Sequence, residues 1–406
     1  MKQIPLKIGV LRETKVPPVY RVALTPQQVA RLKENFPHVE IVVQPGDTRC
    51  YTDDEYRDAG LTVNENISDC SVLIGLKETD VATVLNNKTY MLFSHTAKKQ
   101  PYNRGLLQKM AKSGNTLIDY EYLTDTDNVR LVAFGYWAGV VGAYNGLLAY
   151  GKRFGYYDVK PAYNCFDIAE VKQELKKVKL PALKILITGG GRVAGGAKEI
   201  LKQAGIRQVT PEAYLSDQFS EAVYAQIEPQ HYTIRKDGSP FDFGHFIEHP
   251  DAYQSAFLPY TKVTDIYLAC HFWDPASPVF ITREDMTAGD FNIRVIADIS
   301  CDLNGPIAST VRASTIDNPI YGYDPFSGRE VHSFSDRSVT VMAVDNLPGE
   351  LPRDSSHDFG ESLLRSVIPA LLGNDEQGII RRATILKNGE LTAPFYYLKD
   401  FLEGKE

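Results

Sequence analysis

The sequence predicts an α/β protein of two domains, each built on a parallel sheet, flanking an active-site cleft. Three observations carry this. From Leu6 to Glu121, short apolar runs alternate with helical segments, the pattern of parallel strands joined by crossover helices. At Lys184 a second pattern opens: Ile185-Leu186-Ile187 breaks into Gly189-Gly190-Gly191 and resumes as helix through Ala197 to Leu201. The length, 406 residues, makes two domains the natural division. Both domains are expected to be Rossmann-like. The first, 1–138 plus 347–406, is expected to carry substrate and catalysis; the second, 139–346, the dinucleotide.

Composition narrows the function. Hydrophobic residues make up 43% and charged residues 23%, ordinary values for a globular protein with real cores. A net charge of −7 with no basic block argues against nucleic acid. The N-terminal MKQIPLKIGVLRET has no apolar stretch of signal length, and no run is long enough to span a membrane. Cys50, Cys70, Cys165, Cys270 and Cys301 are scattered without a C-x-x-C pair. They are read as buried free thiols of a cytoplasmic protein, with no metal site.

In order, Leu6–Leu11 is a buried strand, and Thr25-Pro26 caps and starts the helix QQVARLKENF. Val39–Val43 is the next strand, and Asp53-Asp54 caps a short helix through Ala59. Strands follow at 72–76, 89–94 and 116–121, with a helix over 106–112. Lys77, Glu78, His95 and Glu121 then fall where strands end, which in parallel sheets is where ligands bind. Alone, Lys77 reads as a solvated lysine and His95 as a core histidine; together at neighbouring strand ends they read as chemistry. A long, closely packed helix is expected over Gly139–Gly151, then a lysine-rich stretch leads to the glycine turn. Ile206–Val209 is expected as the second strand of that domain, with Thr210-Pro211-Glu212 starting a helical turn. Later strands are expected at Ile266–Ala269, Val295–Ile299 and Val341–Val344, the last ending in Asp345. The Pro- and Gly-rich 303–340 is expected as loop, and from Leu347 the chain is helical and returns to the first domain.

The glycine turn has the spacing G-x-G-x-x-A, with Gly189, Gly191 and Ala194. The first glycine permits the tight turn, the second lets backbone approach a pyrophosphate, and the small residues beyond allow close helix–strand packing. The helix N-terminus adds free N–H groups and its dipole.

Taken together, ETK and YRVALTP (13–26), IGLKE (74–78), FSHTAKKQ (93–100), IDYEYL (118–123), AFGYWAG (133–139), TGGGRVAGGAKEI (188–200), ADISCD with GPI (297–307), STIDNPIYGYDP (314–325) and VDNLPGELPRDSS (344–356) span nearly the whole chain. With these pieces the chain resembles saccharopine dehydrogenase of the L-lysine-forming type, also called lysine–2-oxoglutarate reductase. That family is more distantly similar to alanine dehydrogenase and the nucleotide-binding subunit of transhydrogenase. The resemblance implies that Lys77 and His95 are the acid/base pair and that Arg21 binds a substrate carboxylate. It implies Glu78 and Glu121 as acidic neighbours that tune the pair, and Asp345 beside the nicotinamide. Gly189, Gly190, Gly191, Arg192 and Val193 are the implied phosphate loop. Lys98, Lys99 and Arg130 are candidate helpers for the carboxylates, Lys99 foremost. The small-molecule substrates implied are lysine, 2-oxoglutarate and saccharopine. An alanine dehydrogenase-like enzyme and a non-catalytic ligand-binding relative are the alternatives.

One departure bears on the cofactor. An NAD site usually places an acid at the end of the second strand, about 20 residues past the glycines. Here that region reads Gln208-Val209-Thr210-Pro211-Glu212, with no acid cleanly at the strand end. Arg192 or Arg207 could meet a 2′-phosphate instead. The reading favours NADP(H), with NAD(H) as the alternative.

Overall fold

The computed structural model describes residues 6–405; the first five residues of the stretch read as lacking a signal lie outside that range. The chain forms two compact units. One comprises the chain up to Ala133 together with everything from Pro352 onward; the other runs from Phe134 to Leu351.

Strands of the first unit are β1 (Leu6–Val10), β2 (Val39–Val43), β3 (Thr62–Val63), β4 (Val72–Ile74), β5 (Thr89–Leu92) and β6 (Thr116–Asp119). The second unit holds β7 (Lys184–Thr188), β8 (Arg207–Gln208), β9 (Val223–Ile227), β10 (Thr233–Arg235), β11 (Tyr253–Ser255), β12 (Ile266–Ala269), β13 (Val295–Asp298), β14 (Ile320–Asp324), β15 (Arg329–Val331) and β16 (Val339–Met342). The returning chain adds β17 (Thr384–Lys387) and β18 (Glu390–Leu391) to the first unit. Its sheet has the order β18-β17-β6-β5-β4-β1-β2-β3, and the second unit's main sheet β15-β14-β16-β13-β12-β7-β9-β8. β1 to β6 pair in parallel, and β17 closes the edge antiparallel to β6. In the second sheet the parallel pairing runs from β8 to β16, and β14 and β15 add an antiparallel edge. The α/β architecture with two mainly parallel sheets is therefore the one the alternation predicts.

Local sequence explains the elements. Thr25 caps the helix Pro26–Asn35 through a reciprocal capping box with Gln28, as expected from Thr-Pro. At the next helix, Asp53–Asp58, the cap is Thr52, not Asp53-Asp54: its hydroxyl accepts from Glu55 N, while Glu55 returns to the Thr52 N–H. The aspartates fall in the first turn, where they suit the dipole. The segment 303–340 is not all loop. Ile320–Asp324 and Arg329–Val331 form a hairpin around a left-handed Gly328, because the Asp-Pro-Phe-Ser-Gly run is turn chemistry between β-forming tyrosines and valine. Val341–Val344 is likewise not the last strand, since β17 and β18 follow. The cysteines are free thiols, but Cys50 and Cys301 are half-buried rather than buried.

The second core shows why strand β7 is apolar at every position. Ile185 and Ile187 point to one face, packed under helices Gly135–Phe154 and Arg192–Gln203; Leu186 points to the other, among Tyr214, Phe257 and Tyr267. The two helices approach closely. A Cβ on Gly139 would collide with the Val193 carbonyl, and one on Gly196 with the Tyr136 carbonyl. Among the described residues, no helix is long and apolar enough to cross a membrane.

This contact makes a prediction with an internal control. Gly139→Ala must push the two helices apart and is expected to cost about 1–3 kcal/mol or more. Gly195→Ala, on the partner helix beside Gly196 but facing open space, is expected to be neutral or to stabilise by up to about 1 kcal/mol. Thermal denaturation of the two variants checks both signs.

Candidate active site

The acid/base candidates of the first unit are gathered by its parallel strands. β1, β4, β5 and β6 are successive neighbours and all end on the same side. Past β4 the chain runs Gly75-Leu76-Lys77-Glu78, and its backbone is held by Glu13 from beyond β1: the Glu13 carboxylate accepts from Leu76 N at 2.7 Å and Lys77 N at 2.9 Å. Burial raises the Glu13 carboxyl to about 7, against the opposing pull of those two N–H groups and of Arg21 and Lys77. Arg21 is itself buried, which lowers it to about 10 while Glu13 and Cys50 act to raise it. It therefore stays charged at neutral pH.

Glu78 is the bridge of the cluster. Its Oε1 accepts from His95 Nδ1 at 2.7 Å and its Oε2 from Lys15 Nζ at 2.8 Å. Burial alone would raise this carboxyl, but the His95 and Lys15 hydrogen bonds outweigh it and hold it at about 2. His95 stacks on Phe93 at 6.1 Å between ring centroids, and the Lys77 ammonium lies 5.7 Å over the same ring. Lys77, Glu78 and His95 are thus brought together. Glu121 lies in the turn after β6, not in the strand, and takes Lys98 at 2.8 Å.

His95 opens a tight turn, Thr96–Lys98, and both flanking residues are left-handed: His95 at φ 51° and Lys99 at φ 54°. Non-glycine residues pay for that conformation, so the turn needs external anchors. One is Asp119, at the end of β6, which accepts from Ser94 N at 3.0 Å and Ser94 Oγ at 2.5 Å. The returning helix Pro352–Ser362 is another support: Ser356 Oγ accepts from Val22 N, and Phe359 packs on Phe93 and Tyr120.

In the second unit, Gly189, Gly190, Gly191, Arg192 and Val193 line a cavity of about 610 Å³. Gly189 sits at φ 92°, and a Cβ there would lie 2.7 Å from the Cys270 carbonyl. Gly191 faces open space and starts the helix Arg192–Gln203 with no side-chain cap. A small residue at each of the three positions, an uncapped helix start and an adjoining cavity fit a dinucleotide's pyrophosphate. Asp345, placed by the resemblance beside the nicotinamide, lies exposed just past β16 and is not among the residues lining this cavity.

The strand pairing corrects the premise behind the NADP(H) expectation. The strand beside the glycine strand β7 is β9; β8, read as the second strand, pairs only with β9 and lies at the edge. The chain crosses to the outer position first and then fills the inner one. The acid to look for therefore follows β9, and Glu228 stands there: a Cβ on Gly190 would meet its Oε1 at 2.5 Å. Arg207 is paired with Glu221. Glu13, Lys15, Asp119 and Glu228 were not singled out from the sequence. Glu228 was open to discovery, because Val223–Ile227 is a strand-like apolar run ending in an acid.

The Glu78 shift has a measurable consequence. A carboxyl held at about 2 in the folded state and near 4.5 when unfolded contributes stability that is full above about pH 4.5 and lost as pH falls toward 2. Glu78→Gln cannot titrate. The stability gap between the protein and this variant is expected to shrink steadily from pH 5 to pH 2, measured by denaturant unfolding at each pH.

The chain is similar to known proteins over most of its length. Residues 9–141 match the family described as alanine dehydrogenase/PNT, N-terminal domain. The alpha-aminoadipic semialdehyde synthase of Arabidopsis thaliana is 30% identical over 440 residues, covering 96% of this chain and 41% of that protein. The mitochondrial protein of the same name from Bos taurus is 28% identical, covering 90% and 45%. The chain thus spans less than half the length of these two relatives. A saccharopine dehydrogenase [NAD(+), L-lysine-forming] from Yarrowia lipolytica is 27% identical over 385 residues, 90% of this chain and 92% of that one. Among solved structures, an L-alanine dehydrogenase superposes with TM-score 0.62 over 99% of this chain and 100% of its own, at 16% identity. A transhydrogenase from Sinorhizobium meliloti gives 0.59 over 95% and 100%, also at 16%. The last two show a common fold. The chain carries an alanine dehydrogenase/PNT N-terminal domain and is a homologue of the L-lysine-forming saccharopine dehydrogenases.

Proposed function

We propose that this protein is a nicotinamide-dependent oxidoreductase that interconverts L-lysine plus 2-oxoglutarate with saccharopine. The observation that carries the reading is the Glu78 bridge, one ionised carboxylate holding His95 and Lys15 immediately beside Lys77. A relative of matching length, from Yarrowia lipolytica, is named an NAD(+), L-lysine-forming saccharopine dehydrogenase.

The chemistry asks for two kinds of group. Attack of the lysine ε-amine on the 2-oxoglutarate ketone gives a carbinolamine, and loss of water gives the imine. Each step moves protons at one carbon, which suits two positioned acid/base groups. His95 is assigned to the carbonyl and carbinolamine oxygen: its Nδ1 is committed to Glu78, which fixes the ring and leaves Nε2 for the substrate. Lys77 is assigned to the amine proton, its main chain being held by Glu13. Arg21, buried and charged, is assigned to a substrate carboxylate, with Lys99 as helper. The glycine loop is assigned to the pyrophosphate of a dinucleotide, whose nicotinamide, when bound, would supply the hydride for reduction of the imine.

With Glu228 at the end of the strand beside the glycine loop, the cofactor proposed is NAD(H), the acid accepting from the ribose 2′-OH and repelling a 2′-phosphate. This reverses the preference drawn from the sequence.

Two experiments decide these assignments. Lys77→Met and His95→Gln are each expected to lower kcat by roughly 10²-fold to 10⁴-fold, whereas Arg21→Ala raises substrate KM, with cofactor affinity kept in all three. Near-wild-type activity in both acid/base variants, or faster turnover of ammonia plus pyruvate than of lysine plus 2-oxoglutarate, abandons the reading. For the cofactor, kcat/KM is expected to be higher with NADH than with NADPH, and Glu228→Gln to narrow the ratio by about tenfold or more, the worth of a hydrogen bond to a charged group. An NADPH preference in the unmutated protein refutes it.

A further inference from the structure

The turn that carries His95 is anchored from a direction the catalytic reading does not use. Thr96–Lys98 is held between two left-handed non-glycine residues, His95 and Lys99. Such a conformation persists where the surroundings over-determine it. Two anchors come from the end of β6 and the turn that follows it, Asp119 on Ser94 and Glu121 on Lys98. A further anchor is Tyr397, 300 positions away in sequence: its hydroxyl donates to the Ala97 carbonyl at 3.0 Å, and its ring lies 5.9 Å under the Lys99 ammonium. One side chain therefore holds the middle of the turn by a hydrogen bond and its end by a cation–ring contact.

Tyr397 is itself held firmly. It belongs to the short helical segment Ala393–Leu398, which follows β17 and β18. Thr392 returns its N–H to Ile385 O, and β17 pairs with β6, the strand that bears Asp119. Phe395 of the same segment packs edge-on against Tyr122 at 4.8 Å. The Tyr122 phenol is raised by burial and further by its neighbour Tyr397. The turn is thus held by two elements fixed to one strand. About half of Tyr397 is exposed, so core filling does not account for its place.

We propose that Tyr397 is a positioning residue for His95, making the C-terminal segment a working part of the acid/base site. This rests on the assignment of His95 above. By holding Ala97 and Lys99, Tyr397 fixes the left-handed backbone from which the imidazole reaches Glu78. Losing its hydroxyl loosens the turn without emptying a core.

The test compares Tyr397→Phe, which keeps the ring under Lys99 and removes the donor, with Tyr397→Ala, which removes both. Tyr396→Phe, on the same segment, is the control. With lysine, 2-oxoglutarate and NADH, Tyr397→Phe is expected to lower kcat about 3-fold to 10-fold and Tyr397→Ala roughly 10-fold to 10²-fold, the scale of a misplaced catalytic group. KM for NADH and the melting temperature of Tyr397→Phe stay unchanged. The ¹⁵N imidazole resonances of His95, assigned through their loss in His95→Gln, are expected to move in Tyr397→Phe and not in Tyr396→Phe. Unchanged kcat and unchanged His95 resonances in Tyr397→Phe overturn the proposal. So does a fall in kcat matched by a fall in melting temperature with the resonances unmoved, which marks a merely structural role. If the unmutated protein turns over no amine with 2-oxoglutarate, the proposed function fails, and the His95 resonances alone then decide whether Tyr397 positions the ring.

Discussion

Parallel pairing of β1, β4, β5 and β6 is the constraint on which the first unit depends. Because neighbouring parallel strands end on one side, residues far apart in sequence are delivered to one rim: Glu13 after β1, Lys77 and Glu78 after β4, His95 after β5. Strand direction alone brings them near each other; hydrogen bonds do the rest. Glu13 ties the end of β1 to the main chain of Lys77, and Glu78 ties His95 to Lys15. Sheet geometry sets the neighbourhood and two carboxylates set the distances.

The two carboxyl groups are shifted in opposite directions by their surroundings. Both are half-buried, and burial raises each. Glu78 has two cationic or proton-donating side chains within 2.8 Å, and these bring it far below its ordinary value. Glu13 faces mainly backbone N–H groups, which do not cancel the cost of burial, and it ends near neutrality. Titratable groups whose environments push their values apart cluster at functional sites, and this supports the acid/base roles proposed for the cluster. Around them, the left-handed His95 and Lys99 record that the turn is held in place by its neighbours rather than by its own preference.

The second unit uses close approach in place of charge. Glycines at 139 and 196 let two helices meet backbone to backbone over the apolar face of β7. At the end of that strand, Gly189 folds sharply against Cys270, and the helix that follows begins without a cap. A Cβ at 139, 196 or 189 would collide with backbone.

Much of this was legible in the chain itself. Short apolar runs marked the strands, Thr-Pro marked a helix start, and G-x-G-x-x-A marked the glycine turn, because each is a local preference written in adjacent residues. Lys77, Glu78 and His95 could be singled out because each follows an apolar run. What the sequence did not decide was pairing. Nothing local to 207–208 says that this strand takes the outer place and leaves the inner one to Val223–Ile227, so the search for an acid stopped at Glu212 and passed over Glu228. Nor does any local signal join Tyr397 to Ala97, or Glu13 to the Lys77 main chain. Those partners are chosen by which strand lies beside which, a contest among distant segments for the same edge that is settled only when the whole sheet has formed.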